Sequence, residues 1–135
     1  MTIRFGILTI SDRSSRGERE DASGPALAQL ILAQNWSIAR QQILPDEEFA
    51  IRAILIECAD SGEMDVILTT GGTGFAARDV APEATRAVIQ KDAPGLVETM
   101  RSESLKKTPH AMLSRAVAGI RGRTLIINLP GSPKG

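Results

Sequence analysis

"DVILTTGGTG", residues 65–74, runs from an apolar stretch straight into three glycines out of four. Val66, Ile67 and Leu68 read as a short strand, and a continuously apolar centre is what a strand covered on both faces requires. Glycine accepts positive φ and lets successive N–H groups point into one concavity, which suits phosphate oxygens. A tight chain reversal would use the same residues. Position favours the ligand, because parallel sheets bind beyond the carboxyl ends of their strands, where Gly71 stands. The stretch has neither the Lys-Ser/Thr ending of a P-loop nor a G-x-G-x-x-G spacing, so neither nucleotide fingerprint applies.

The same strand-then-polar-loop pattern recurs on both sides. Residues 3–10 are apolar and β-branched, a buried strand, and residues 11–17 form a loop rich in hydroxyls and charge. Gly24-Pro25 opens a helix through Leu27, Leu30, Ile31 and Leu32 to Gln34. Residues 37–44 form a strand closed by Pro45, and Asp46 occupies an N-cap position. Ile51, Ile54, Leu55 and Cys58 then recur at helical spacing, with Ser61-Gly62 as the stop. Beyond the glycines, Pro82, Pro94 and Pro109 each open a helix, the last running through Met112, Leu113, Ala116 and Val117. Residues 124–129 are a final buried strand, ended by Pro130-Gly131-Ser132-Pro133. This alternation predicts an α/β fold of three α/β/α layers, with a mostly parallel sheet and helices on both faces.

With 135 residues the chain is one domain, residues 1–135, large enough for a real core. Sixteen basic residues balance sixteen acidic ones, so no overall field draws it to nucleic acid or to a membrane. Three Phe, one Trp and no Tyr exclude a base-stacking platform. Cys58 is the only cysteine, which excludes an internal disulfide and fits a reducing compartment. No leader-like segment and no membrane-length apolar run is present, and a soluble cytoplasmic protein is expected. His110 is the only histidine, so a nucleophilic triad or a histidine-rich metal site has no material; it reads as a first-turn surface residue. Cys58, Trp36 and the methionines read as core.

Four polar segments, residues 11–17, 45–46, 71–79 and 128–134, should converge at the carboxyl edge of the sheet. Asp46 and Asp79 beside a phosphate-binding turn would suit Mg²⁺, a hard cation that keeps waters and bridges phosphates. Each has a plainer reading: Asp46 as an N-cap, Asp79 as a cap on the turn before Pro82. Arg13, Arg16, Arg78 and Lys134 lie in the same loops and suit a multiply charged ligand. Ser11, Thr69, Thr70, Thr73, Ser114 and Ser132 suit donation to phosphates or a heterocycle, or the capping of backbone groups.

Seven blocks now stand in order along the chain. They are Leu8-Thr9-Ile10-Ser11-Asp12-Arg13, Asp21-Ala22-Ser23-Gly24, Leu44-Pro45-Asp46, the Thr69-to-Gly74 stretch, the Arg78-to-Thr85 stretch, Thr108-Pro109-His110-Ala111-Met112-Leu113-Ser114-Arg115, and Asn128-Leu129-Pro130-Gly131-Ser132-Pro133-Lys134. Together they resemble the MoaB/Mog family of molybdenum cofactor biosynthesis across essentially the whole chain. Arg78-Asp79-Val80 and the Thr108 block are similar to the molybdopterin adenylyltransferase branch, also represented by fusion proteins such as gephyrin.

The resemblance implies the molybdenum cofactor biosynthesis protein-like fold and transfer of AMP from Mg-ATP to the terminal phosphate of molybdopterin, releasing pyrophosphate. It implies Mg²⁺, with ATP as co-substrate, a homotrimer, and a molybdate-inserting enzyme downstream, with no nucleic acid or membrane partner. Asp46 and Asp79 match the family's essential acids, which handle Mg²⁺ and the nucleotide phosphates. Gly71, Gly72, Thr73 and Gly74 match its nucleotide-holding segment. Ser114 and Pro130-Gly131-Ser132-Pro133-Lys134 match positions lining the pterin and phosphate region, and Ser11 and Asp12 match the first-strand loop. Family members continue past Lys134 with a further helix and strand; a domain without them is expected to leave part of its sheet uncovered. Two other readings stay open: a molybdopterin-binding protein without catalysis, and a nucleotide-diphosphate hydrolase of the competence-damage-inducible kind.

Overall fold

A computed structural model describes residues 2–131. Its strands are β1 (Arg4–Ile10), β2 (Ser37–Leu44), β3 (Val66–Thr70), β4 (Lys91–Asp92), β5 (Ala118–Arg121) and β6 (Thr124–Leu129). Its helices are α1 (Asp12–Ser15), α2 (Ser23–Ala33), α3 (Glu48–Asp60), α4 (Ala81–Val88) and α5 (Pro94–Leu105), with a 3₁₀ turn at Pro109–Leu113. The six strands form one sheet in the order β2-β1-β3-β6-β5-β4. The first four in that order are parallel, while β5 runs antiparallel to both β6 and β4.

Local chemistry sets the boundaries. Asp21 Oδ1 accepts the Gly24 N–H at 3.1 Å and Oδ2 accepts the Thr9 hydroxyl at 2.9 Å, so one side chain starts α2 and ties it to β1. Gly62 follows α3 with φ 74°, in the left-handed region where glycine carries no Cβ penalty. Leu8, Ile10, Ile67 and Ile126 meet Ile51, Leu55 and Cys58 of α3 and Ala84 and Val88 of α4. On the other face Phe5, Ile7 and Ile31 pack together, and Phe5 stacks on Trp36 with ring centroids 5.4 Å apart. A third cluster seats Val97 of α5 on Ala116 and Ala118.

Burial of β3 and β6 on both faces, expected from their composition, holds only on the α3/α4 side. Ile67 and Ile126 are fully buried there. Val66, Leu68, Leu125, Ile127 and Leu129, pointing the other way, are half-buried. On that side α2 packs against β1 and β2, and α5 against β5, which leaves the sheet between them partly open. Only one face of α2 meets the sheet, so Leu30 and Leu32 are exposed. Met112 is exposed as well, against the expectation of core. Among the described residues no helix is long and apolar enough to cross a membrane.

The helix expected from Pro109 through Val117 is replaced by the 3₁₀ turn, an extended link and β5. Tertiary partners take the amides that a helix would use: Arg115 N–H donates to Thr73 O at 2.9 Å and Val117 N–H to Asn128 Oδ1 at 3.0 Å. Asn128 is thus no part of the polar edge. It is fully buried, and its amide nitrogen donates to Thr69 and Thr85 hydroxyls at 2.8 and 2.9 Å. Asn128→Ala leaves the Val117 N–H buried without a partner and is expected to cost about 2–3 kcal/mol. Urea unfolding measures this; a change below about 0.5 kcal/mol would show the network to be dispensable.

Candidate functional site

The loops after β1, β2 and β3 meet the end of β6 around one open cavity of about 620 Å³. Ser11, Asp12, Asp46, Gly71, Gly72, Asp79 and Gly131 all line it. The predicted convergence of the four polar segments is therefore present as far as Gly131. Ser132 and Lys134 lie outside the described residues.

The acids are held by backbone contacts. Asp46 Oδ2 accepts the Asp12 N–H at 2.9 Å, and Asp12 Oδ1 accepts the Asp46 N–H at 3.0 Å, a reciprocal brace between the first two loops. Arg78 then grips Asp12 through Nε at 2.6 Å and Nη2 at 3.0 Å. Asp46 is no N-cap: Glu47 holds that position, without a side-chain bond, because the Asp46 carboxylate is turned back to Asp12. Asp79 does cap its own turn, accepting the Ala76 N–H at 2.9 Å through Oδ2. Ser11 caps α1 and Thr70 donates to Pro130 O at 2.8 Å, so for both the backbone-capping alternative holds. Thr69 is fully buried and accepts from Asn128, away from any ligand.

The glycines lie against these acids. Gly71 and Gly72 have φ of 98° and 70°. A Cβ on Gly72 would stand 3.1 Å from Asp46 Oδ1, and one on Gly74 2.8 Å from Asp79 Oδ2. A side chain at Gly72 or Gly74 would push on one of these carboxylates, and at Gly72 it would also face a strained backbone. Thr73 is buried beneath the turn.

Among the described residues, Asp46 Oδ1 and Asp79 Oδ1 accept no protein hydrogen bond, and no group of three or more His, Cys, Asp or Glu side chains could hold a metal. Two carboxylates, each with one uncommitted oxygen, suit Mg²⁺, which keeps several waters and takes one or two carboxylates plus substrate phosphates. The donor set fits that ion and offers nothing to a thiolate- or imidazole-seeking one.

Burial pushes the Asp46 carboxyl above the usual carboxylate range, and the charges of Asp12 and Asp79 push it the same way. Hydrogen bonding from Arg78 holds Asp12 below that range. For a raised acid, the stabilising contribution is present at low pH and is lost as pH rises through the folded-state value. Asp46→Asn is therefore expected to melt higher than the unsubstituted protein at pH 7 in the absence of divalent ions. The gap should close as pH falls through the carboxylate range; calorimetry showing no gap at pH 7 would contradict this.

Arg13, Arg16 and Arg19 stand at the rim of the same cavity, Arg16 paired with Glu18 at 2.7 Å. Ser114 and Pro130 do not share it. They line a neighbouring, mostly apolar groove of about 630 Å³ with Val97, Met100, His110 and Ala116. The two hollows meet along Pro130-Gly131. Sequence reading missed Asp21 and Arg115 as structural parts of the site. Asp21 stands three residues before the Gly24 amide, a spacing that could have marked it as a helix-starting acid; nothing local marks Arg115.

Residues 6–135 match the protein family described as "Probable molybdopterin binding domain". The chain belongs to the molybdopterin-binding domain family. It is 48% identical to the molybdopterin adenylyltransferase of Helicobacter pylori (strain J99), over 98% of this chain and 77% of that one. It is 44% identical to the molybdopterin adenylyltransferase of Escherichia coli (strain K12), over 98% of this chain and 69% of that one. The structure overlays the molybdopterin biosynthesis enzyme MoaB of Thermus thermophilus with a TM-score of 0.92, at 50% identity, over 98% of this chain and 84% of that one. The MoaB/Mog resemblance and the three-layer α/β/α fold are thereby established for this member of the family.

Proposed function

We propose that this chain is a molybdopterin adenylyltransferase, a nucleotidyltransferase of molybdenum cofactor biosynthesis. An oxygen of the terminal phosphate of molybdopterin attacks the α-phosphorus of ATP. The bond to the bridging β-phosphate oxygen breaks, and pyrophosphate leaves with its electron pair. The observation that carries this reading is the pair of carboxylates of Asp46 and Asp79, each with one oxygen free of protein hydrogen bonds, lining one cavity with Gly71 and Gly72. The names of the Helicobacter and Escherichia relatives support the same activity.

Phosphoryl-type transfer asks for positioning and charge neutralisation more than for a covalent nucleophile. Asp46 and Asp79 would hold Mg²⁺, which when bound neutralises phosphate charge. The turn of Gly71, Gly72, Thr73 and Gly74 receives the nucleotide phosphates, although the Gly71 N–H itself is committed to Leu129 O, and Ser11, Asp12 and Gly131 border that space. Arg13, Arg16 and Arg19 add positive charge at the rim, where two anions are brought together. Ser114 and Pro130 border the adjoining groove, which receives the pterin. The protein acts as a homotrimer in the cytoplasm, and its adenylylated product passes to a molybdate-inserting enzyme.

Purified protein mixed with molybdopterin and Mg-ATP should yield an adenylylated pterin and one pyrophosphate per turnover. Tight pterin binding without AMP transfer would overturn the enzyme reading and leave a carrier.

A further inference from the structure

We infer that Arg115 is the positioning residue that sets Asp79 and the glycine turn in their working places. The inference rests on the proposed adenylyl transfer for its activity readout, and on geometry for the rest. Arg115 uses every edge of its guanidinium. Nε donates to Gly74 O at 2.7 Å, and Nη2 to Asp79 O at 2.7 Å. Nη1 and Nη2 donate to the two carboxylate oxygens of Glu83 at 2.7 and 3.3 Å. Its backbone N–H donates to Thr73 O at 2.9 Å. One residue thus holds three backbone carbonyls, at residues 73, 74 and 79, and anchors them to the first turn of α4.

Apart from the Arg78 grip on Asp12, the loop between those points is held by bonds within itself. Phe75, Ala76, Ala77 and Arg78 are exposed, and the turn bond from Ala76 N–H to Asp79 Oδ2 lies within the loop itself. Arg115 fixes both ends of this segment, and with them the direction of the Asp79 carboxylate. Its place in the chain adds a second connection. Ser114, the preceding residue, lines the apolar groove, so this dipeptide joins the wall of the groove to the acid of the neighbouring cavity.

A fork is required at this position. Lysine keeps the charge and the stem, but as a point donor it cannot span two carbonyls and a bidentate carboxylate. In Arg115→Lys the amides of residues 74–80 should exchange with deuterium at least about tenfold faster, while those of α3 keep their rates. In the same variant kcat for adenylylation should fall about tenfold or more, with KM for molybdopterin within about twofold, the pattern of a lost transition-state alignment. Glu83→Gln keeps the backbone bonds and weakens only the anchor, so it should fall between the two.

Ile31→Val, on the opposite face and far from the site, serves as a control matched for loss of melting temperature. Unchanged exchange in residues 74–80 of Arg115→Lys would overturn the positioning role whatever the enzyme does. A kcat loss no greater than that of the control would overturn it too. If exchange rises as expected in a protein that shows no AMP transfer, the clamp stands and the adenylyltransferase reading falls.

Discussion

Asp79→Asn is expected to lower the rate of AMP transfer by at least about a hundredfold while molybdopterin affinity stays within about twofold. Asparagine keeps an oxygen able to accept the Ala76 N–H, so the turn survives and only the charge is removed. The groove proposed above for the pterin, lined by Ser114, Pro130 and residues of α5, does not include Asp79. Asp79→Ala removes the turn bond as well and should abolish transfer altogether. Rapid-quench assays of AMP transfer, run beside equilibrium titration with molybdopterin, separate the two effects. Full activity in either variant would sink the assignment of this acid.

The largest expected loss of stability is at Gly71. Its φ of 98° is one that L side chains rarely adopt, and a Cβ there would run into the carbonyl oxygen of Ile10. Relief by rotation is blocked, because the Gly71 N–H donates to Leu129 O at 3.1 Å. Backbone strain contributes about 1–2 kcal/mol, and the collision with fixed backbone should bring Gly71→Ala to about 4 kcal/mol in all. The melting temperature should then fall by about 14 °C. Gly17 supplies the comparison: its φ is 74°, with nothing within 4 Å of an added Cβ. Gly17→Ala should lose only the strain, about 1 kcal/mol. Equal losses at the two positions would show that conformation alone, and not contact with β1, makes Gly71 a glycine.

What could be read from the chain follows the range of the forces involved. β2 spans Ser37–Leu44 and β6 Thr124–Leu129, as expected, because a stop such as Pro45 and an apolar run such as that of β6 are local signals. The 109–117 region defeated that logic. Pro109 and the apolar spacing after it favour a helix, but Thr73 and Asn128, distant in sequence, claim the Arg115 and Val117 amides. Asn128 itself looked like the first residue of a polar edge, and only its neighbours on β3 and α4 reveal a core residue. The places of Asp46 and Asp79 behind strands put both at the sheet edge, and both line the cavity there. The brace from Asp12, the grip of Arg78 and the clamp of Arg115 join residues up to 66 positions apart, which no periodicity encodes.

The crossing of β1 between β2 and β3 has a consequence for how the protein comes together. Asp12, Asp46, Gly71 and Gly131 follow four different strands, and each becomes a neighbour of the others only after β1 has been enclosed on both sides and β6 has docked. No fragment that folds early contains the cavity, since parallel pairing over such separations is slow and closes late. A ligand held there recognises only the finished sheet and gains no purchase on partly folded chains. Saturating it at a hundred times Kd should therefore raise the free energy of global unfolding by about 2.7 kcal/mol, with the same increment read at β2 as at β6.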